Sequence, residues 1–157
     1  MRLSAFVDAG HDATRSQLGI GLRLHPDAGF VLSRSIKDNH VSFSSSEAEL
    51  RGFALGTFEV LWTRFLLEEL SYKQEDPTPI YEDNSAIVTL MTTLASPSGR
   101  TKHLNKLRMT IQQYINAKET LCIKTPGKSN PADLYTKAVD VATYVALNHD
   151  ATGGRLR

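Results

Sequence analysis

The order of strand and helix patterns is the feature that most limits how this chain can fold. Three short apolar segments come first, at Leu3 to Asp8, Gly19 to Leu24 and Phe30 to Ile36, and the turn signal H-P-D-A-G separates the second from the third. This arrangement predicts a three-stranded antiparallel meander. From Ser44 to about Leu70, apolar residues recur every three or four positions, which predicts one long helix.

The second half of the chain alternates between the two patterns. Strands are predicted at Pro79 to Glu82 and Thr120 to Lys124, and helices over Ser85 to about Thr92, Thr101 to about Ala117 and Asn130 to about Leu147. A meander followed by alternating strands and helices predicts an α/β fold in which helices pack on a mixed sheet.

Length and composition favour one intracellular domain. The chain has 157 residues, 41% of them hydrophobic, which is enough for one domain with a core and short for two. Its apolar stretches are interrupted every few residues, and no apolar signal segment follows the N-terminus. The single Cys122 cannot form an internal disulfide, and its place in the alternating run L-C-I-K predicts a buried strand residue. These features predict a soluble protein of a reducing compartment, without a membrane segment.

Four acidic residues stand in four separate short motifs. They are Asp8 in F-V-D-A-G, Glu49 in S-S-S-E-A-E-L, Asp83 in I-Y-E-D-N-S-A and Asp133 in N-P-A-D-L. Carboxylates brought together from distant segments can hold two Mg²⁺ ions, which activate a water and stabilise a phosphodiester leaving group. The set therefore predicts a metal-dependent nuclease.

Asp8 and Asp133 also have plainer structural explanations, whereas the position of Asp83 favours a ligand role. Asp8 could initiate a turn. Asp133 could simply favour the helix dipole, because Asn130 is a candidate N-cap and Pro131 would occupy the first helical position. Asp83 ends a predicted strand, where ligands gather in open α/β sheets.

The two residues that flank Asp83 are not predicted to be metal ligands. Glu82 precedes it by one residue, so strand alternation predicts that its side chain points to the opposite face of the sheet. Asn84 is interpreted as a helix N-cap rather than a ligand.

Geometry separates the two glutamates at the start of the long helix. Ser44 and Glu47 have the spacing of a capping box, in which the glutamate reaches back to the backbone of the cap. Glu49 lies about 200° further round the helix than Glu47, so the two side chains point in different directions and cannot contact the same group. Glu49 is therefore the predicted ligand.

The middle of this helix is predicted to pack closely on the sheet. Gly52 and Gly56 each cost about 1 kcal/mol relative to alanine inside a helix, and close packing would compensate. Phe58, Trp62 and Phe65 are predicted to lie in the core, with base stacking as the alternative.

Basic residues concentrate in one stretch of the chain. Between Arg100 and Lys128, seven basic residues against Glu119 alone give a net charge of +6, within a chain of net charge +1. Such a stretch can neutralise phosphates, or it can be a solvated face. Its basic members are Arg100, Lys102, Lys106, Arg108, Lys118, Lys124 and Lys128.

Taken in order, the motifs resemble those of the ribonuclease H domain of copia-type (Pseudoviridae) retrotransposon polyproteins. The elements that carry the resemblance are F-V-D-A-G, S-S-S-E-A-E-L, Y-E-D-N-S-A-I, R-T-K-H-L and N-P-A-D-L-Y-T-K, spanning about Leu3 to Lys137. The resemblance implies a ribonuclease H-like fold with a five-stranded mixed sheet and flanking helices. It also implies endonucleolytic hydrolysis of the RNA strand of RNA–DNA hybrids. The domain would cover residues 1–148, with residues 149–157 as a disordered tail.

By motif matching, the catalytic and metal-binding carboxylates of the family fall on Asp8, Glu49, Asp83 and Asp133. The cofactor would be two Mg²⁺ ions, with Mn²⁺ as a substitute. Asp8 would bridge both ions, Glu49 and Asp83 would bind one, and Asp133 would bind the other. Two departures affect this match: A-G-H-D follows the first aspartate where D-x-D-W or similar is usual, and the loop T-P-G-K-S lacks the histidine of cellular ribonucleases H.

The resemblance also suggests nucleic-acid contacts and a biological context. The predicted contacts to the hybrid are Arg100, Lys102, His103, Lys106, Lys128 and Asn84, although His103 could instead pack at a helix start. The implied neighbour on the N-terminal side is a reverse transcriptase, and the implied location is the cytoplasm or virus-like particles. The alternative function is a domesticated domain that binds nucleic acid or a protein without cutting.

Overall fold

The computed structural model describes residues 1–11, 15–93 and 104–154. The sheet and helices run in the order β1 (Ser4–Gly10), β2 (Gln17–Arg23), β3 (Leu32–Lys37), α1 (Ser45–Glu69), β4 (Thr78–Glu82), α2 (Ser85–Thr92), α3 (Asn105–Asn116), β5 (Thr120–Lys124) and α4 (Val141–Ala151). Two 3₁₀ segments, Gly127–Ser129 and Pro131–Tyr135, lie between β5 and α4.

The five strands form one mixed sheet in the order β3-β2-β1-β4-β5. The pairs β1–β2 and β2–β3 are antiparallel, whereas β1–β4 and β4–β5 are parallel. The predicted five-stranded mixed sheet with flanking helices is thereby confirmed. Because β1 and β4 run in the same direction, their carboxyl ends meet at one edge of the sheet, which is where sites form in such folds.

Helix α1 packs closely against β1. A Cβ atom added at Gly56 would lie 2.3 Å from Cγ1 of Val7, and one at Gly52 would lie 3.3 Å from the backbone oxygen of Asp8. The predicted close packing is therefore confirmed. It holds the helix that carries Glu49 directly over the strand that carries Asp8.

The prediction that the aromatic residues of α1 lie in the core was wrong. Phe58, Trp62 and Phe65 are 42%, 57% and 63% exposed. The glycines mark the side of the helix that faces the sheet, and these three residues lie roughly 180–240° round the helix from Gly56. Phe53 fills the core instead and is fully buried. In the part of the chain that the structure describes, no helix is both long and apolar enough to span a bilayer.

The single helix predicted from Asn130 to about Leu147 was also wrong. A 3₁₀ segment ends at Tyr135, and α4 begins only at Val141. Asp140 is the N-cap of α4, since its Oδ1 accepts a hydrogen bond of 3.0 Å from the backbone N–H of Thr143.

Helix α4 also crosses the boundary predicted at residue 148. It ends at Ala151, and Asp150 accepts hydrogen bonds of 3.1 and 2.7 Å from the buried guanidinium of Arg23 in β2. The division into domain and tail itself stays a prediction. Cys122 lies in β5 with 6% of its surface exposed, as predicted, and burial raises the pKa of its thiol to about 12.

Candidate active site

The four predicted carboxylates converge on the edge of the sheet where β1 and β4 end. Asp8 is in β1, Asp83 follows β4 directly, Glu49 is near the start of α1 and Asp133 is in the second 3₁₀ segment. One carboxylate oxygen from each of Asp8, Asp83 and Asp133 lies within 4.8 Å of the other two. Glu49 makes a second group within the same 4.8 Å with Asp83 and a further residue, Glu82.

Asp83 is the residue that belongs to both groups. The prediction gave the bridging position to Asp8 instead, and that assignment stays a prediction. Both groups offer only carboxylate oxygens, the ligands that Mg²⁺ and Mn²⁺ prefer, so the residues present fit the predicted cations.

The N-terminus of α1 positions Glu49 and gives Glu47 a different task. The backbone N–H of Glu47 donates to Oγ of the N-cap Ser44 at 3.1 Å. Oε2 of Glu47 accepts a hydrogen bond of 3.0 Å from the backbone N–H of Phe43, one residue before the cap predicted to be its partner. The capping role of Glu47 is confirmed with this change. Glu49 points to the sheet, where the backbone N–H of Ala9 donates to its carboxylate.

A buried asparagine fixes the 3₁₀ segment that carries Asp133. Nδ2 of Asn130 donates to the backbone oxygen of Val7 at 2.8 Å, and its Oδ1 accepts from the backbone N–H of Ala132 at 3.2 Å. Asn130 is fully buried. This side chain therefore anchors the segment to the residue that precedes Asp8 in β1.

The predicted orientation of Glu82 was wrong. Its carboxylate joins those of Glu49 and Asp83 instead of pointing away from them, and the residue is fully buried. Alternation fails here because β4 ends at Glu82, so Asp83 is no longer held in the pleat. Oε1 of Glu82 accepts a hydrogen bond of 2.8 Å from the backbone N–H of Asn84, while Oε2 has no hydrogen-bond partner among the described residues.

Asn84 is the N-cap of α2, as predicted. Its Oδ1 accepts hydrogen bonds from the backbone N–H groups of Ala86 and Ile87 at 2.9 and 3.4 Å. Its predicted contact with nucleic acid stays a prediction.

Burial and mutual repulsion raise the pKa values of the clustered acids. Burial, followed by the charges of Asp8 and Asp83, raises the pKa of Glu49 to about 8. Burial and the charge of Glu49 raise the pKa of Glu82 to about 9. Burial also raises the pKa of Asp133 to about 6, despite a hydrogen bond from Lys137, and burial and Asp8 raise that of Asp83. Such a cluster favours binding of a divalent cation, which would relieve the repulsion.

Sequence reasoning did not assign two lysines that contact the site. Nζ of Lys137 lies 2.8 Å from Oδ1 of Asp133 and 3.9 Å from Oδ2 of Asp8. Burial lowers the pKa of Lys137, but the hydrogen bond to Asp133 and the nearby charges raise it above its ordinary value. Lys124 donates to the backbone oxygen of Asp83. The available signal was spacing, since Lys137 follows Asp133 by four residues in A-D-L-Y-T-K.

A threonine completes the surroundings of the first aspartate. The hydroxyl of Thr136 donates a hydrogen bond to Oδ2 of Asp8. Thr136 and Lys137 thus place a hydroxyl and an ammonium group beside the carboxylates of β1 and the 3₁₀ segment.

The residues of the predicted basic stretch differ in exposure, and some of them lie outside the described residues. Lys106 on α3 and Lys128 in the first 3₁₀ segment are exposed. Lys128 follows Gly127, whose backbone approaches the acidic cluster: a Cβ added at Gly127 would lie 3.0 Å from Oδ2 of Asp83. Arg108 does not belong to a basic face, since it is 5% exposed and donates to the backbone oxygen of Thr93. Arg100, Lys102 and His103 lie outside the described residues.

Solved structures with the same fold are ribonucleases H. The chain is similar to the N-terminal ribonuclease H domain of a Mycobacterium tuberculosis protein, with a TM-score of 0.66, 14% identity and 96% of each chain covered. It is similar to ribonuclease H1 of the archaeon Halobacterium salinarum, with a TM-score of 0.65, 13% identity and coverage of 87% of this chain and 95% of that one.

A third similar structure holds a nucleic acid. LC11 ribonuclease H1, solved in complex with an RNA/DNA hybrid, gives a TM-score of 0.63 at 10% identity, covering 82% of this chain and 88% of that one. No protein-family model matches the chain. The similarities show that this chain has the ribonuclease H-like fold.

Proposed function

We propose that this domain is a metal-dependent endonuclease that hydrolyses the RNA strand of RNA–DNA hybrids. The observation that carries the proposal is the convergence of Asp8, Glu49, Asp83 and Asp133 on one edge of the sheet. The shared fold with ribonucleases H, one of them in complex with an RNA/DNA hybrid, supports the choice of substrate.

The carboxylates would hold two divalent cations. Asp8, Asp83 and Asp133 would contribute ligands for one, and Glu49 and Asp83 would contribute ligands for the other. When bound, Mg²⁺ or Mn²⁺ supplies the Lewis acidity that activates a water and stabilises a leaving alkoxide. Hydrolysis is expected to leave a 5′-phosphate and a 3′-hydroxyl.

Other residues of the chain would organise this reaction. Asn130 holds the Asp133 segment against β1, and Thr136 fixes the carboxylate of Asp8 by a hydrogen bond. The exposed ammonium groups of Lys106 and Lys128 would bind phosphates of the hybrid. Arg100, Lys102 and His103, which lie outside the described residues, are proposed as further contacts to the hybrid.

The biological context is part of the proposal. The motif resemblance supports an origin in a copia-type retrotransposon polyprotein, with a reverse transcriptase as the neighbouring domain. The proposed location is the cytoplasm or the interior of virus-like particles. The competing function is a domain that binds hybrids without cutting them.

Cleavage of labelled substrates tests the proposal. The full chain is incubated with an RNA–DNA hybrid, duplex RNA and duplex DNA in the presence of Mg²⁺, and the Asp83→Asn variant serves as the matched control. We expect cleavage of the RNA strand of the hybrid alone, abolished by excess chelator and by Asp83→Asn. Tight hybrid binding without cleavage would favour the competing function, and full activity in excess chelator would contradict the metal-dependent mechanism.

A further inference from the structure

We propose that Glu82 is a fifth metal-binding carboxylate, which forms a cation subsite with Glu49 and Asp83. This inference rests on the proposed function in one respect, namely that the acidic edge of the sheet binds divalent cations. It adds a residue that neither the motif resemblance nor strand alternation assigns to the site.

The first support is the position of the carboxylate. One oxygen each from Glu49, Glu82 and Asp83 lies within 4.8 Å of the other two, and the same holds for Asp8, Asp83 and Asp133. Because the two groups share Asp83, they would form two neighbouring cation subsites, as expected for carboxylates that bind two ions.

The second support is a buried oxygen that lacks a partner. Glu82 is fully buried, yet its Oε2 has no hydrogen-bond partner among the described residues. A buried carboxylate is costly unless it is paired or coordinates a metal. Lys124 and Lys137, which contact the cluster, bond to other atoms: Lys124 to the backbone oxygen of Asp83 and Lys137 to Asp133.

The third support is the way in which Glu82 is held. Its Oε1 accepts the hydrogen bond from the backbone N–H of Asn84, which fixes the carboxylate between the end of β4 and the start of α2. The side-chain oxygen of a glutamine could accept this hydrogen bond equally well. A purely structural role for Glu82 therefore does not require its second, unpaired carboxylate oxygen, whereas a ligand role does.

Binding of Mn²⁺ to the full chain without nucleic acid tests the inference. Free Mn²⁺ is measured by electron paramagnetic resonance for the wild type, Glu82→Gln, Glu49→Gln and Glu75→Gln. We expect Glu82→Gln, like Glu49→Gln, to weaken binding by at least about tenfold, the lower end of the loss found even for outer-shell partners. Glu75→Gln removes an exposed charge before the opposite end of β4 and should bind like the wild type.

The variants separate a ligand role from a role in folding. Glu82→Gln keeps the acceptor for the Asn84 N–H, so its far-ultraviolet circular dichroism should match that of the wild type. Should it fail to fold, Glu82→Asp, which keeps the charge on a shorter side chain, takes its place and should also weaken Mn²⁺ binding. A folded Glu82 variant that binds Mn²⁺ as tightly as the wild type would overturn the inference.

Failure of this inference and failure of the proposed function give different results. A wild type that cleaves hybrids, together with unchanged Mn²⁺ binding in Glu82→Gln, would overturn the Glu82 subsite and leave the nuclease. Mn²⁺ binding that depends on Glu82, in a chain that cleaves no hybrid, would support the subsite and contradict the nuclease.

Discussion

Lys137 donates a hydrogen bond to Asp133, and the two side chains are joined at 2.8 Å across four residues of the chain. The same ammonium lies 3.9 Å from Oδ2 of Asp8. A lysine therefore supplies positive charge at the carboxylates that are expected to bind a cation. It should stabilise the metal-free protein and oppose the entry of a divalent ion by charge repulsion.

Replacing Lys137 with glutamine should therefore have opposite effects on stability and on metal affinity. The metal-free protein should lose about 0.5–1 kcal/mol, because Lys137 is half exposed and the pair is partly screened by solvent. Mn²⁺ should bind more tightly than to the wild type. Thermal melting in chelator and Mn²⁺ titration check the two effects, with Lys73→Gln, an exposed lysine paired with Glu68 at 3.9 Å, as the control. Weaker Mn²⁺ binding in Lys137→Gln would show that the lysine assists the cation instead.

The two glutamates of α1 should respond in opposite ways to substitution. Glu49→Gln removes a ligand charge from a crowded site, so cleavage should fall by orders of magnitude while the free energy of unfolding holds or rises. Glu47→Ala removes the acceptor for the Phe43 N–H, so it should cost about 0.5–2 kcal/mol, the range for a lost cap, and keep most of the cleavage rate. Melting curves and single-turnover assays on both variants decide the matter. A stable but inactive Glu47→Ala beside an active Glu49→Gln would reverse these assignments.

The capping role of Glu47 and the different direction of the Glu49 side chain could be predicted because the evidence for both is local. A capping box and a rotation of about 200° along one helix follow from chain geometry alone. The five strands were found for the same reason, since alternation and turn residues are read within a few positions. The four acidic motifs suggested a metal site by their chemistry, but the assignment of Asp8, Glu49, Asp83 and Asp133 as one catalytic set required the motif resemblance. Local sequence patterns do not show that distant segments meet.

The errors occurred where tertiary structure overrides a local pattern. Glu82 was predicted to face away from Asp83, but the strand ends between them and alternation stops. Trp62 fits a helical apolar pattern, yet the close approach at Gly56 turns the opposite side of α1 to the sheet. Lys137 was quoted within a motif and given no role, because its contact with Asp8 depends on how the 3₁₀ segment packs on β1.

The stability of the metal-free protein should fall as the pH rises. Burial and mutual repulsion raise the folded-state pKa values of Glu49 and Glu82 to about 8 and 9, above the ordinary value of 4.5. Between about pH 4.5 and pH 9 the folded protein therefore binds more protons than the unfolded chain. The stability that these protonated side chains contribute is fully present below about pH 4.5 and is lost as the pH rises toward 9. Thermal melting in chelator from pH 5 to 9 checks the slope. Glu82→Gln should flatten it, and Glu75→Gln should not; a melting temperature that rises over this range would contradict the argument.

The contact between α1 and β1 should be intolerant of one extra methyl group. Gly56→Ala would place a Cβ 2.3 Å from Cγ1 of Val7, and the resulting overpacking should cost about 1–3 kcal/mol, more than alanine gains in helix propensity. Gly52→Ala meets its nearest atom only at 3.3 Å and should be close to neutral. Denaturant unfolding of both variants measures the difference. Equal stabilities would mean that Val7 and the helix move apart without cost.

The exposed residues Lys106 and Lys128 should control the salt dependence of hybrid binding. Lys128 follows Gly127, whose backbone approaches the acidic cluster. If each neutralises one phosphate, replacing both with alanine should weaken binding and reduce the slope of log affinity against log salt by up to about 0.9 per contact. The cleavage rate at saturating hybrid should change less than the affinity, because lysines that only bind flanking phosphates would not contact the reacting phosphate. Lys73→Ala, which removes an exposed lysine between α1 and β4, should leave the slope unchanged. If the double variant gave the same slope of log affinity against log salt as the wild type, the two lysines would belong to a solvated face. Other residues would then have to bind the hybrid.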